Sequence, residues 1–257
     1  MNFGICNLSV IPLRTEPSDK SEMASQILFG ETLEILSREK QWLHVRTHAD
    51  DYGGWIDEKQ IRILSSDELK EAQKSPANCL LDLTATAFGP SGSILLIIGS
   101  SLPLYENQKF RLGIEEFQTD GDVIQTGMRD LSNRIPWNAI KFAGTPYLWG
   151  GRSLFGIDCS GFTNVVFKLS GIKLRRDSWQ QSEQGMLVNF IDQSRAGDLA
   201  FFHNEEGKII HVGIILEGKK IIHASGKVRI DTIDHYGIYN EEQKRYTHQL
   251  RLVKRII

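Results

Sequence analysis

The residue of this sequence best suited to chemistry is Cys159, which stands where a glycine-rich stretch gives way to a helical pattern. Asp158 is the expected N-cap of that helix and Gly171 the expected stop. A thiol in the first helical turn lies beside free backbone N–H groups and the positive end of the helix dipole, and both favour the thiolate. The same N–H groups can stabilise an oxyanion. The expected apolar stripe of this amphipathic helix comprises Phe162, Val165, Val166 and Leu169.

Two histidines lie in neighbouring β-branched runs and supply a candidate base. His211 falls in the run 208–216 and His223 in the run 219–225, which together predict a β-hairpin. A three-residue loop at 216–218 would place residue 211 directly opposite residue 223 on one face of the sheet. We therefore expect His223 to hold the His211 ring, so that its other nitrogen faces the sulfur.

These three residues match the roles of nucleophile, base and orienting residue in cysteine acyl-transfer chemistry: Cys159, His211 and His223. Taken singly, a cysteine is more often a small buried hydrophobic residue, and a strand histidine is more often structural. The combination favours catalysis. A zinc site from the same residues is disfavoured, because the sequence has no close ligand pair such as C-x-x-C or H-x-x-x-H. We predict no metal and no cofactor.

Several motifs around these residues resemble the NlpC family of cell-wall cysteine peptidases. They are WGG at 149–151, DCSGF at 158–162, GDLAFF at 197–202, HVGI at 211–214 and IHAS at 222–225. The resemblance covers about the last half of the chain, from Leu131 onward. It implies a papain-like α+β catalytic domain that cleaves bacterial peptidoglycan peptides next to D-glutamate.

The first half of the chain is rich in strand patterns and predicts small β-barrels. Apolar or alternating runs at 7–14, 31–37, 41–47 and 54–57 resemble a bacterial SH3-like domain over residues 1–66, with Trp42, Val45 and Trp55 in its core. We expect a linker at 67–78 with a helical turn at 67–74, then a second, divergent SH3-like barrel at 79–128. The catalytic domain follows at 129–257 and opens with a helix ended by Gly144. The expected fold class is α+β.

An SH3-like module ahead of an NlpC-type domain resembles γ-D-glutamyl-L-diamino acid endopeptidases, which act on muropeptides with a free N-terminal L-alanine. The resemblance implies a set of substrate-binding residues, of which Asp158 would pair with the ammonium group. Asp158 can equally serve as the helix cap. Arg152 is expected either to meet a substrate carboxylate or to be a solvated loop charge, and Asp198 to be structural. The implied substrate-binding set is Tyr147, Asp158, Ser160 and Ser178, with Glu22 and Tyr52 from the barrel. The alternative for Glu22 is a solvated loop charge, and the alternative for Tyr52 is a turn residue.

Composition and charge indicate which partners, disulfides and cellular locations to expect. The formal net charge of −2 argues against nucleic acid, and clusters such as 173–176 are interpreted as solvated surface. Three scattered cysteines predict no disulfide framework. The N-terminus lacks a signal-peptide pattern and no apolar run could span a membrane. We therefore expect a cytoplasmic protein, or a periplasmic or secreted one if a leader was removed. A monomer is expected, although the sequence carries no signal for the oligomeric state.

Two other functions remain open from the sequence. One is a papain-like cysteine amidase or acyltransferase acting on non-peptide acyl chains. The other is a non-catalytic wall-binding protein, against which the intact set of Cys159, His211 and His223 argues. The sequence does not distinguish lysine from diaminopimelate as the diamino acid, nor recycling from attack on foreign wall.

Overall fold

The computed structural model of the protein describes residues 2–74, 78–125 and 134–257. Its contacts divide the chain into two compact units. The first comprises Met1–Arg129 and Trp149–Leu154, and the second comprises Asp130–Leu148 and Phe155–Ile257. The predicted start of the catalytic domain at residue 129 lies outside the described residues.

The first unit opens with a seven-stranded antiparallel sheet in the order β3-β2-β6-β5-β4-β1-β7. Alternation of inward apolar residues explains its strands: in β2, Ile11 and Leu13 are buried between partly exposed neighbours. Gly54 allows β6 to pass close to β2, because a Cβ there would lie 2.8 Å from the Arg14 carbonyl oxygen. The strands are β1 (Asn2–Cys6), β2 (Val10–Arg14), β3 (Met23–Leu28), β4 (Thr32–Glu39), β5 (Trp42–Thr47), β6 (Gly53–Asp57) and β7 (Ile61–Leu64).

The sequence patterns located four of these seven strands and missed β1, β3 and β7. Val45 belongs to the apolar core as predicted. Trp42 is buried but lies outside that cluster, and Trp55 is only partly buried. Trp55 instead stacks on His44, with ring centroids 4.9 Å apart, so its assignment to the core was wrong.

The described part of the first unit also contains a helix and two smaller sheets, one of four strands and one of two. The predicted helical turn at 67–74 is the helix α1, and its Leu69 is buried in an apolar cluster with Ile5 of β1 and Phe110. This cluster runs from the first strand to residue 117, so the predicted segments 1–66, 67–78 and 79–128 share a core. The elements are α1 (Ser66–Lys74), β8 (Asn78–Leu80), β9 (Thr84–Gly89), β10 (Gly92–Ile97), β11 (Lys109–Leu112), β12 (Glu115–Thr119), β13 (Val123–Gln125) and β14 (Arg152–Ser153).

The second unit packs helices with a seven-stranded sheet of order β16-β22-β17-β18-β19-β20-β21, in which β21 also pairs with β22. Phe202, Ile215 and Ile221 contribute to the apolar cluster on one face of that sheet. Helix α2 has Pro136 in its first turn, as predicted. The elements are α2 (Ile135–Ile140), β15 (Gly156–Ile157), α3 (Cys159–Lys168), α4 (Ser178–Gln181), β16 (Met186–Val188), β17 (Leu199–His203), β18 (Ile209–Leu216), β19 (Lys220–Ser225), β20 (Lys227–Ile233), β21 (Gly237–Asn240) and β22 (Arg245–Arg255).

Among the described residues, none of the helices combines the length and the apolar character needed to cross a bilayer.

Candidate active site

Cys159 is the first residue of α3, as the sequence predicted. The Asp158 carboxylate accepts a hydrogen bond from the Gly161 N–H at 2.6 Å and caps the helix. Gly171 adopts a left-handed backbone with φ of 73° after the helix ends. The predicted apolar stripe is buried, but so is every residue from Cys159 to Phe167. The expectation of an amphipathic helix was therefore wrong, because α3 is covered on all sides.

The thiol of Cys159 is shielded from solvent, and only 7% of the residue's surface is exposed. Burial, and next the charge of Asp158, raise the pKa of Cys159 to about 12, against the opposing effects of backbone N–H groups of Val212 and Ser160 and of Arg176. The sequence predicted a thiolate at this helix start. In the structure the loss of hydration outweighs the helix N-terminus, so the unbound protein carries a neutral thiol. The N–H of Val212 nevertheless places the sulfur against the strand that carries His211.

The two predicted histidines do meet. His211 Nε2 lies 2.9 Å from His223 Nδ1, and both rings are buried. Burial, followed by the neighbouring imidazoles of His223 and His248, holds the pKa of His211 well below its ordinary value, so its ring is neutral near pH 7. A neutral imidazole can accept a proton from a neutral thiol.

The strand register that brings the rings together differs from the prediction. Gly213, not His211, lies directly opposite His223, because the loop occupies residues 217–219 rather than 216–218. This shift moves the pairing by two residues, which preserves the face of the sheet on which each side chain lies. The rings therefore meet across a diagonal, and the missing side chain of Gly213 leaves room for His223.

Asp231 of β20 continues the contacts beyond His223, and the sequence analysis missed it. His223 Nε2 lies 2.9 Å from Asp231 Oδ2, while Arg229 donates from Nε to Oδ2 at 2.7 Å and from Nη2 to Oδ1 at 3.0 Å. Burial alone would raise the pKa of Asp231, but the hydrogen bonds from His223 and Arg229 lower it to about 2. The carboxylate is therefore ionised. No local sequence signal marked this residue, because its role depends on strand pairing.

A third imidazole, that of His248 on β22, packs on His211. The two ring centroids are 4.2 Å apart with planes 25° from parallel, and Phe202 lies 5.9 Å from the His248 ring. Burial, then the neighbouring His223, lower the pKa of His248 to about 4. Ring nitrogens of His211, His223 and His248 lie within 4.8 Å of one another, a spacing that is compatible with binding of a metal ion. Both nitrogens of His223 are already engaged by His211 and Asp231, however, so a metal would have to displace a hydrogen bond.

Asp158 and Ser160, two predicted substrate residues, are both held by Arg176. Arg176 Nη2 lies 2.6 Å from Asp158 Oδ2, and its Nη1 donates to Ser160 Oγ at 2.9 Å. Arg176 is only 1% exposed. The interpretation of the cluster 173–176 as solvated surface was therefore wrong for this residue, which instead pairs with the carboxylate beside Cys159.

Tyr147 and Ser178 also belong to the second unit. Burial, and next electrostatic interactions with Cys159 and Asp158, raise the pKa of Tyr147 to about 12, which places the phenol near Cys159. Ser178 is buried and begins α4. Gln181 of that helix ties it to α3, because its Nε2 donates to the Ser160 carbonyl at 3.0 Å. Ser178 thus lies in an element that is anchored beside Cys159.

Glu22 and Tyr52, the two predicted residues of the barrel, lie in the first unit. Glu22 is exposed, and its carboxylate accepts a hydrogen bond from Trp149 Nε1 at 2.5 Å. Tyr52 is partly buried against the barrel core, and its backbone N–H donates to the Thr47 hydroxyl at 3.0 Å. These contacts do not test a role in substrate binding, which stays a prediction for both.

Arg152 and Asp198 both have structural partners. Arg152 is buried, and its guanidinium donates to both carboxylate oxygens of Glu31, at 2.8 and 2.9 Å. Neither expectation for Arg152, a substrate contact or a solvated charge, fits this buried ion pair. Asp198 accepts hydrogen bonds from the Arg255 guanidinium, in agreement with the predicted structural role.

Comparison with known proteins shows the family to which this chain belongs. Residues 144–251 match the NlpC/P60 family, and residues 13–61 match the bacterial dipeptidyl-peptidase Sh3 domain. A γ-D-glutamyl-L-lysine dipeptidyl-peptidase of Bacillus subtilis (strain 168) is 32% identical over 217 residues, which span 78% of this chain and 71% of that protein. This chain belongs to the NlpC/P60 family. It is a cysteine peptidase.

Two further proteins match over most of the chain. A γ-D-glutamyl-L-lysine dipeptidyl-peptidase of Bacillus cereus (strain ATCC 10987 / NRS 248) is 28% identical and covers 80% of this chain and 68% of its own length. The crystal structure of an NlpC/P60 family protein from Bacillus cereus ATCC 10987 has a TM-score of 0.82 at 22% identity, and 99% of each chain is covered. The predicted α+β fold, with an SH3-like domain before an NlpC-type catalytic domain, is confirmed.

Proposed function

We propose that this NlpC/P60 peptidase hydrolyses the bond between D-glutamate and the diamino acid in small peptidoglycan peptides with a free N-terminal L-alanine. The hydrogen bond of 2.9 Å between His211 and His223 is the observation that supports the reaction most strongly. It gives a candidate base a fixed orientation on the strand that contacts Cys159. Two relatives named γ-D-glutamyl-L-lysine dipeptidyl-peptidase, and a dipeptidyl-peptidase 6 of Lysinibacillus sphaericus that is 24% identical, support the substrate class.

The first half of the proposed reaction forms a thioester. His211 takes the proton of the Cys159 thiol as the sulfur attacks the γ-carbonyl carbon of D-glutamate. The backbone N–H groups at the start of α3 stabilise the oxyanion. The C–N bond then breaks, and the proton on His211 passes to the leaving amine of the diamino acid.

The second half hydrolyses the thioester. A water molecule gives a proton to His211 and its oxygen attacks the same carbon. The C–S bond breaks, the proton returns to the sulfur, and L-Ala-D-Glu leaves. His223 orients His211 throughout both halves.

The binding of the peptide is assigned to the groups around the nucleophile. Asp158 is the proposed partner of the N-terminal ammonium, although Arg176 already shares its charge. An ammonium there would oppose the effect of Asp158 on the pKa of Cys159, which is to raise it. Substrate binding would thereby favour ionisation of the thiol. The remaining proposed contacts are Tyr147, Ser160 and Ser178, with Glu22 and Tyr52 from the SH3-like domain.

The test is mass spectrometry of products from defined peptides. L-Ala-γ-D-Glu-L-Lys and its diaminopimelate counterpart should release L-Ala-D-Glu, and Cys159→Ala should abolish turnover while the peptide still binds. Acetylation of the alanine should reduce kcat/KM strongly if Asp158 binds the ammonium. Equal rates on free and acetylated peptides would exclude that role. Binding without turnover by the wild-type protein would instead favour a non-catalytic wall-binding protein.

We further propose a cytoplasmic monomer that acts in muropeptide recycling. A recycling enzyme acts on free peptides and is expected to leave intact sacculi undigested. Fractionation of cells, light scattering of the purified protein and digestion of sacculi test location, oligomeric state and role separately.

A further inference from the structure

We infer that Asp231 is a positioning residue of this reaction: its carboxylate determines which ring nitrogen carries the proton in His223 and, through His223, in His211. The inference rests on the proposed function, in which His211 takes the proton of Cys159. Asp231 does not contact the sulfur. It acts through two imidazoles that lie between them.

The first step concerns His223. A carboxylate has only lone pairs to offer, so the contact of 2.9 Å between His223 Nε2 and Asp231 Oδ2 requires a proton on Nε2. Asp231 is only 4% exposed, so water cannot easily replace this contact. When His223 carries a single proton, this contact places that proton on Nε2, and Nδ1 then offers a lone pair.

The second step concerns His211. With His223 Nδ1 as the acceptor, the contact of 2.9 Å between the rings requires a proton on His211 Nε2. His211 Nδ1 then carries the lone pair. That nitrogen is the one free to take the proton from Cys159. The reversed arrangement, with the proton on His211 Nδ1, would leave no base for the thiol.

Arg229 keeps the carboxylate in this orientation. It lies directly opposite His223 in the register of β19 and β20, and two residues from Asp231 on the same face. Its Nε donates at 2.7 Å to Oδ2, the same oxygen that accepts from His223, and its Nη2 donates at 3.0 Å to Oδ1. Both oxygens are thus held, and the carboxylate cannot rotate without loss of a charged hydrogen bond.

A purely structural ion pair between Arg229 and Asp231 is the competing explanation. It predicts that loss of Asp231 lowers stability and leaves the histidine protons and the kcat of the folded fraction unchanged. The positioning role predicts a change in both. The two explanations therefore separate on the state of the imidazoles.

The direct experiment is NMR of the full chain with ¹⁵N-labelled histidine, since ring ¹⁵N shifts distinguish the two tautomers. In the wild-type protein we expect His211 and His223 each to carry the proton on Nε2. Asp231→Asn keeps one acceptor oxygen but removes the charge, and Asp231→Ala removes the acceptor, so His223 should lose its fixed tautomer in the Ala variant. A proton on His223 Nδ1 in the wild type, or unchanged tautomers in Asp231→Ala, would overturn the inference.

Kinetics give the second readout. We expect kcat to fall about tenfold in Asp231→Asn and further in Asp231→Ala, with KM changed by less than about twofold. Asp234→Asn is the matched control: its carboxylate accepts from the Tyr246 hydroxyl at 2.6 Å rather than from His223, and the variant should retain wild-type kcat. If Asp231→Ala does not fold, Asp231→Asn and the wild-type spectrum still decide. Wild-type kcat in Asp231→Asn with an unchanged pH profile would contradict the inference.

The failure of this inference is distinguishable from failure of the proposed function. If the wild type cleaves the peptide and Asp231→Asn is equally active, only the role of Asp231 is wrong. If the wild type does not cleave the peptide, the proposed substrate is wrong. The tautomers seen by NMR still test whether Asp231 determines the proton positions on His223 and His211.

Discussion

Gly213 and His223 lie directly opposite each other on β18 and β19, and the glycine leaves the space in which the His223 ring reaches His211. A Cβ at position 213 would lie 2.9 Å from the His223 Cβ, closer than folded proteins tolerate. We expect Gly213→Ala to displace His223 and lower kcat about tenfold, because the orientation of His211, the proposed base, depends on this ring. Steady-state kinetics on the peptide substrate measure the effect. Gly53→Ala, where the nearest atom is 3.8 Å away, is the control, and wild-type kcat in Gly213→Ala would contradict the role of this pairing.

The buried thiol should react slowly when no substrate is present. Because burial raises the pKa of Cys159 to about 12, the thiolate is scarce at mildly acidic pH. We expect alkylation of Cys159 by iodoacetamide to be slow at pH 6 and to accelerate steadily up to pH 10. L-alaninamide, which carries the N-terminal ammonium but no γ-glutamyl carbonyl, should increase the rate at fixed pH, and N-acetyl-L-alaninamide should not. Rapid labelling of the unbound protein at pH 6 would contradict the neutral thiol and support the thiolate that the sequence predicted.

Arg176 should be essential for the stability of the site. Its removal leaves the buried Asp158 carboxylate without its charged partner, a change that costs about 3–5 kcal/mol in comparable buried pairs. We expect Arg176→Ala to lower the free energy of unfolding by this order in urea denaturation. Arg175→Ala is the control, because Arg175 is exposed and adjacent. Equal stability of the two variants would contradict the buried ion pair.

The packed histidines should make stability depend on pH. Burial lowers the pKa of His248 from 6.5 to about 4 and holds that of His211 well below 6.5. At pH values between 4 and 6.5, these two histidines bind more protons in the unfolded chain than in the folded protein. The free energy of unfolding therefore falls as the pH falls from 6.5 towards 4. We expect His248→Gln to reduce this slope and His235→Gln, at an exposed position, to leave it unchanged. Urea denaturation at a series of pH values measures the slopes, and equal slopes in wild type and His248→Gln would contradict the assignment.

Local patterns were sufficient for the features that depend on neighbouring residues in the chain. Asp158 as a cap, Cys159 at the helix start and the two histidine strands were predicted because capping and alternation act over a few residues. The register was wrong by two residues, because the position of a turn depends on backbone conformations that several sequences can adopt. The histidines still share a face, since side chains alternate with a period of two.

The sequence was enough to predict the candidate reactive side chains, the fold class and the elements that carry them. It did not predict the protonation state of the thiol, the burial of Arg152 and Arg176, or the contacts of Asp231 and His248 with the histidines. The physical reason is that hydration and charge pairing depend on which strands become neighbours. Asp231 and His248 are far from Cys159 in the chain, and the pairing of β18, β19 and β20 and the packing of β22 bring them to the same imidazoles.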